Sequence, residues 1–141
     1  IVYRAHHPQD ATELAQYREL LGQGLIRPSK VELWVMDADG SNKRQITALG
    51  GANFGPSWSP DGTKIVFSSN FFAPRSGNFE LFLVSATAEK AGPDQLEQVT
   101  FNDSFDGFPI FHPNGKQLLW ASNRFAAVEG ETNLFVADFR W

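Results

Sequence analysis

The chain has no cysteine, one methionine and two tyrosines among 141 residues, and its 12 Lys and Arg are outnumbered by 16 Asp and Glu. Without cysteine there is no thiol nucleophile, redox pair or disulfide, and nothing ties the chain to an oxidising or a reducing compartment. The net charge of −4 leaves no broad cationic surface for phosphate backbones or anionic lipid, which argues against nucleic acid as a partner. No apolar run approaches the ~20 residues of a membrane-spanning helix, so no membrane insertion is expected. Ile1-Val2-Tyr3-Arg4 lacks the basic start and apolar stretch of a signal peptide. A G-x-S-x-G nucleophile elbow is also missing. What is present is 42% hydrophobic residues, 13 Phe, 12 Gly and 8 Pro, the make-up of a small globular unit rich in turns.

The informative feature is an internal repeat. Trp58-Ser59-Pro60-Asp61-Gly62 returns as Phe111-His112-Pro113-Asn114-Gly115, 53 residues later. Ile65-Val66-Phe67-Ser68-Ser69-Asn70 returns at the same shift as Leu118-Leu119-Trp120-Ala121-Ser122-Asn123, and Leu81-Phe82-Leu83-Val84 as Leu134-Phe135-Val136-Ala137. Gln45-Ile46-Thr47 and Gln98-Val99-Thr100 keep the 53-residue spacing, whereas Ile1-Val2-Tyr3 matches Ile65-Val66-Phe67 at 64, across a longer insertion. Chance similarity would not preserve the order of the segments.

One unit reads as four short strands, Pro56–Ser59, Lys64–Ser69, Glu80–Ser85 and Gln98–Phe101, filled with β-branched and aromatic residues and separated by turn residues. In Pro60-Asp61-Gly62, Pro presets φ, Asp bonds its own backbone and Gly takes the positive φ that closes the hairpin. Four antiparallel strands at this period describe a propeller blade, because a single sheet cannot bury both apolar faces unless neighbours stack on it. The expected fold is therefore all-β and built from blades. One helix interrupts it at about 11–21: Asp10-Ala11-Thr12-Glu13 has capping-box spacing, Leu14, Tyr17, Leu20 and Leu21 follow at helical intervals, and Gly22 and Gly24 end the run. The equivalent stretches 71–79 and 124–133 are short and variable, so loops on this edge are candidate partner sites.

Leu33-Trp34-Val35-Met36-Asp37-Ala38-Asp39-Gly40, Arg44-Gln45-Ile46-Thr47 and Trp58-Ser59-Pro60-Asp61-Gly62-Thr63-Lys64-Ile65-Val66-Phe67-Ser68-Ser69 together resemble the TolB-like β-propeller repeat, also called PD40 or WD40-like. The likeness covers nearly the whole chain outside the helical insertion. It departs in the last unit, where Phe111, His112 and Asn114 replace Trp, Ser and Asp and the third strand runs out at Asp138-Phe139-Arg140-Trp141. The motif is specific for the repeat, not for an activity. Residues 1–50 read as an incomplete blade with the insertion, 51–103 as a complete blade and 104–141 as an incomplete last blade. The strands then number ten, about two and a half blades of the roughly six that the resemblance implies. The expectation is an arc whose apolar end faces need further blades or a partner.

Each chemical candidate has a structural alternative. His6-His7-Pro8 suggests a metal site, but successive residues of an extended chain point opposite ways and no third ligand is adjacent. Asp37-Ala38-Asp39-Gly40-Ser41-Asn42 begins like a calcium loop, yet Asn42 and Ala48 stand where Gly and a bidentate Glu are needed, so a hairpin is expected. His112 lies in a turn, where capping outweighs a catalytic base. Asn102-Asp103-Ser104 is a glycosylation triplet of little weight. The better candidates are the links between units, which cross toward the channel: Asn53, Phe54, Phe105 and Asp106, with Gly55, Gly107 and Phe108 beside them. Asn53 and Asp106, 53 residues apart, either meet a ligand at the channel mouth or cap turns and hydrogen-bond neighbouring blades. Phe54, Phe105 and Phe108 read as packing between blades.

No catalytic residue, metal or cofactor is assigned. The resemblance implies a periplasmic or secreted, non-catalytic module that binds protein or scaffolds a larger assembly, its partner being another protein or the remaining blades of the same propeller. The alternatives are an accessory domain beside a peptidase or hydrolase, with catalytic residues elsewhere, and a metal-dependent propeller lyase or lactonase using Asp106.

Overall fold

The computed structural model describes residues 1–25 and 30–141. Its described residues form ten strands and one α-helix: β1 (Val2–Ala5), α1 (Ala11–Gly22), β2 (Glu32–Val35), β3 (Arg44–Gln45), β4 (Asn53–Trp58), β5 (Lys64–Ser69), β6 (Glu80–Ser85), β7 (Glu97–Gln98), β8 (Asp106–Phe111), β9 (Gln117–Ser122) and β10 (Asn133–Asp138). They make three antiparallel sheets ordered β1-β2-β3, β4-β5-β6-β7 and β8-β9-β10. The fold is mainly β, with the three–four–three strand pattern of partial propeller blades.

Pairing of Ile65 with Val84 and Phe67 with Phe82 puts those four side chains on one face of the central sheet, and the pairing of Val66 with Leu83 puts Val66, Leu81 and Leu83 on the other. The first face joins Leu33, Val35, Ile46 and Ala91 in one apolar cluster; the second joins Phe111, Leu118 and Trp120 in another. The central sheet is thus buried on both sides, which is why β5 and β6 read as continuous apolar runs instead of alternating ones. Every one of these central residues is at most 3% exposed, and each contributes about 1.5–3 kcal/mol by leaving water.

Two strands differ from expectation. The first strand of the central blade begins at Asn53, not Pro56, and its register breaks between Phe54 and Ser57 in a bulge. Gly55 lies in this bulge at φ +60, so the Gly-Pro pair that reads as a strand start is instead the kink inside a longer strand. The outer strand stops at Gln98 instead of continuing to Phe101, because a side chain takes over the ladder: Leu81 N–H donates to Thr100 Oγ1 at 2.9 Å.

Helix α1 matches its signals. Asp10 Oδ1 accepts from Glu13 N–H at 2.8 Å, while Glu13 Oε2 reaches Gln9 N–H instead of the cap's own amide. At the other end Leu25 N–H bonds Leu20 O and Gly24 N–H bonds Leu21 O, with Gly24 at φ +70, a Schellman ending. Among the described residues its apolar stripe is only partly covered: Tyr17 and Leu20 are half-buried, whereas Leu14 and Leu21 are 37% and 50% exposed.

The repeated turns work as read. Asp61 Oδ1 accepts from Ser59 Oγ and Thr63 N–H, with Gly62 at φ +72. In the last unit His112 Nδ1 accepts from Asn114 N–H, Asn114 Oδ1 accepts from Lys116 N–H, and Gly115 repeats φ +72. Asp37 and Asp39 bind Asn42 and Ser41 within their own hairpin. After β10, Phe139 and Trp141 fold back on Phe111, both with ring centres 5.0 Å from it.

Candidate functional site

The links between sheets are held by a latch that occurs twice. At the first junction Glu32 accepts from Thr47 Oγ1 (2.7 Å), Leu49 N–H (3.0 Å), Gly50 N–H (2.8 Å) and Asn53 Nδ2 (3.2 Å), and Thr47 Oγ1 accepts from Leu33 N–H. At the second junction Glu80 accepts from Thr100 Oγ1 (2.5 Å) and from Asn102 N–H, and Thr100 accepts from Leu81 N–H. Gln45 and Gln98 each donate to the carbonyl of the Thr two residues on. The Gln-x-Thr repeat therefore marks the end of each outer strand, where a glutamate, half-buried at Glu32 and buried at Glu80, collects the amides of the chain turning toward the next sheet. The two glutamates escape a search at fixed period because they lie 48 residues apart instead of 53: Thr100 follows Glu80 by 20 residues, whereas Thr47 follows Glu32 by 15.

Asn53 joins the first latch through Glu32, while its repeat equivalent Asp106 follows the second latch without a hydrogen bond to it; both are fully buried. Asn53 donates to Val31 O, Glu32 and Gly50 O, and accepts from Ser69 Oγ at 2.5 Å. Asp106 cannot donate in this way. It accepts from Trp120 Nε1 at 3.3 Å and pairs with Arg124 Nη2 at 2.5 Å, while the guanidinium lies over the Trp120 and Phe135 rings. Burial pushes the Glu80 carboxyl above the ordinary carboxylate range and the negative charge of Asp106 adds to this, opposed by hydrogen bonds from Thr100 and Asn102 and by the charge of Arg124.

Phe54 and Phe105 lie beside the latches and are half-buried. With Phe79 and Phe108 they form one aromatic cluster: Phe54 has ring centres 5.0 Å from Phe79, 5.2 Å from Phe108 and 6.2 Å from Phe105. Phe108 sits in the bulge of β8 at φ +55, the position held by Gly55 in β4, and is 57% exposed. An aromatic residue in the left-handed region is a strained choice. The cluster walls a cleft of about 500 Å³, lined by Phe54, Gly55, Pro56, Phe79 and Phe108 with Ala52 and Arg4 at its edge. Arg4 is exposed and makes no ion pair among the described residues. A mainly apolar cleft with one cation at its rim suits an aromatic or aliphatic side chain. Of the four sequence candidates, then, Phe54 lines the cleft, Phe105 backs it, and Asn53 and Asp106 hold the chain that shapes it.

A second, more polar cleft of about 790 Å³ lies between α1 and the first sheet, with His6, His7, Glu13, Glu32 and Trp34 among its walls. The two histidines diverge. His6 lies against Tyr17, with its Nδ1 3.1 Å from Lys30 O and its Nε2 3.7 Å from Glu13, and His7 packs on Trp34 with ring centres 4.5 Å apart. Among the described residues, no three His, Asp or Glu side chains converge as metal ligands.

No family model matches the chain. It is 29% identical over 97 residues to an uncharacterized protein of Agrobacterium fabrum (strain C58), an alignment covering 69% of this chain and 30% of that protein. A solved structure described as TolB from Agrobacterium tumefaciens superposes with a TM-score of 0.62 and 26% identity, covering 81% of this chain and 39% of that one. TolB from Acinetobacter baumannii superposes with a TM-score of 0.58 and 25% identity, covering 77% of this chain and 24% of that one. The fold is a TolB-like propeller, and the chain spans well under half the length of each of these relatives.

Proposed function

We propose that the chain is a non-catalytic part of a TolB-like β-propeller that binds protein or serves as a scaffold within a larger protein or complex, in the periplasm or outside the cell. One observation carries this reading. Leu81 and Leu83, on the face of the central sheet that meets the third sheet, are 0% and 2% exposed, whereas their repeat equivalents Leu134 and Val136 are 72% and 59% exposed. Ile110, 55% exposed, extends the same outward face. The same strand positions that form the core at one blade thus form an apolar surface at the next, a pattern that favours a protein covering it. Covering Leu134 and Val136 would contribute about 1.5–3 kcal/mol each. The compartment rests on the likeness to TolB, and the absence of cysteine fits it without requiring it. No described helix is long and apolar enough to cross a membrane.

The test is a photo-crosslinking residue at Val136 in cells, with the same residue at exposed Gln9 as control. A discrete protein adduct from Val136 alone is expected. No adduct at Val136, or equal yields from both positions, would refute the reading.

A further inference from the structure

The two junctions between sheets differ at their loop-bearing end. Asn53 pairs with Ser69 and Ser69 with Glu80, while Asp106 and Asn133 both pair with Ser122. The segments 70–79, 99–105 and 123–132 therefore leave the same end of their sheets, and Asn123 N–H ties two of them by donating to Phe105 O at 3.1 Å. By the 53-residue repeat, Ala48, Phe71 and Phe72 at the first junction correspond to Phe101, Arg124 and Phe125 at the second. Phe71 lies 5.1 Å from Phe82 between ring centres, and Phe72 leans on both, which leaves it 45% exposed. At the second junction Arg124 takes the inner place, turned to Asp106 and lying over Trp120 and Phe135. Phe125 is left outside at 90% exposure, with Phe101 at 79% and Val128 at 66%. The same bond closes both turns, Ala73 N–H to Asn70 O and Ala126 N–H to Asn123 O, yet of the two aromatics only Phe125 is left-handed, at φ +57. An aromatic residue held in water at a strained dihedral gains no packing in return.

Charge separates the junctions as well. In the second pair of loops Asp103 and Glu129 are exposed and make no ion pair among the described residues, and the loops' single cation, Arg124, is taken by Asp106. The first junction has the opposite sign, with Arg75 in 70–79 and no Asp or Glu in 46–52 or 70–79. We infer that the crest of Phe101, Phe125 and Val128 over the second junction docks a basic amphipathic helix of a partner protein. The helix covers the three side chains with its apolar stripe and turns Lys or Arg toward Asp103 and Glu129. Acidic loops without a free cation disfavour an anionic lipid surface. A twofold contact with a second copy sets Asp103 and Glu129 against their own like charges. The crest also rides over a junction whose two walls, the central and third sheets, are both present and packed on each other. The inference shares a protein partner with the proposed function but uses another surface, so docking here and an adduct at Val136 can each occur without the other.

The experiment titrates the full chain into a fluorescently labelled amphipathic helix built of leucine and lysine, with a leucine and glutamate helix as its counterpart. Saturable binding of the lysine helix that weakens with added salt is expected, together with slower amide exchange in 99–105 and 123–132. Phe125→Gly should weaken binding about tenfold and at the same time raise the urea midpoint of unfolding, because glycine adopts the left-handed backbone freely. Phe72→Ser, at the first junction, should leave binding unchanged. Absence of saturable binding, equal binding of the glutamate helix, protection confined to α1 or β10, or undiminished binding by Phe125→Gly would each overturn the assignment. Two further results would replace the occupant: attachment to phosphatidylcholine vesicles that Phe125→Gly abolishes points to a membrane, and a concentration-dependent dimer that it abolishes points to a second copy.

Discussion

Replacing Thr100 by Val tests the latch, because valine keeps the shape of threonine and removes only the hydroxyl. That hydroxyl accepts from Leu81 N–H at 2.9 Å and donates to the Glu80 carboxylate at 2.5 Å. Leu81 is 0% exposed and Glu80 3%, so water cannot replace either bond without opening the junction. A buried amide left unpaired costs about 1–3 kcal/mol, and a lost hydrogen bond to a charged group about 1.5–3 kcal/mol. Thr100→Val should therefore destabilise the chain by about 3–5 kcal/mol, and Thr100→Ser, which keeps the hydroxyl and loses one methyl, by only about 1 kcal/mol. Urea denaturation of the three proteins measures the difference, and hydrogen exchange at Leu81 localises it, accelerating in the valine variant alone. If the valine variant were no less stable than the serine variant, the hydroxyl would not hold the junction. Thr47→Val makes the same test at the first junction, where Leu33 N–H and Glu32 are the partners.

Other perturbations probe the same network from different sides. Glu80 binds its proton more tightly in the fold than in the unfolded chain, because burial and then Asp106 raise its pKa from the ordinary 4.5; its contribution to stability is full below that value and is lost as pH rises through the folded pKa. Thermal melts from pH 4 upward should show this decline, and Glu80→Gln should flatten it; an unchanged slope would assign the effect to other groups. Arg124→Ala leaves the buried Asp106 without its cation and should cost about 3 kcal/mol in denaturant titrations, whereas a loss below about 0.5 kcal/mol, the range of an ordinary surface substitution, would mean the pair is not holding the third sheet. Gly107→Ala puts a Cβ into the Phe105 ring and should cost about 1–3 kcal/mol, with a changed near-ultraviolet aromatic signal as the accompanying readout. Gly62→Ala, at φ +72, should cost about 1 kcal/mol without any new contact, since open space surrounds the added methyl.

The blades were legible because their determinants are local and periodic. Pro60-Asp61-Gly62 and Asn114-Gly115 specify tight turns by their own dihedral preferences, and the 53-residue register carries strand order with it. Asp10 and Gly24 likewise fix the ends of α1 through short-range hydrogen bonds. What stayed hidden depends on groups that meet only after the sheets stack. The bulges at Gly55 and Phe108 and the Glu32 and Glu80 latches become meaningful only when equivalent positions are compared in space. Asn53 and Asp106 show the division most clearly. The sequence marks them as a repeated polar pair at the links between units, but whether such a side chain faces a ligand or the interior is set by what packs on it: Val31, Glu32 and Ser69 enclose Asn53, and Trp120 and Arg124 of its own unit enclose Asp106. The residue pattern determined that four-stranded leaflets form; which of their faces become core and which remain open surface was decided by how many leaflets stack, since burial depends on a neighbour being there.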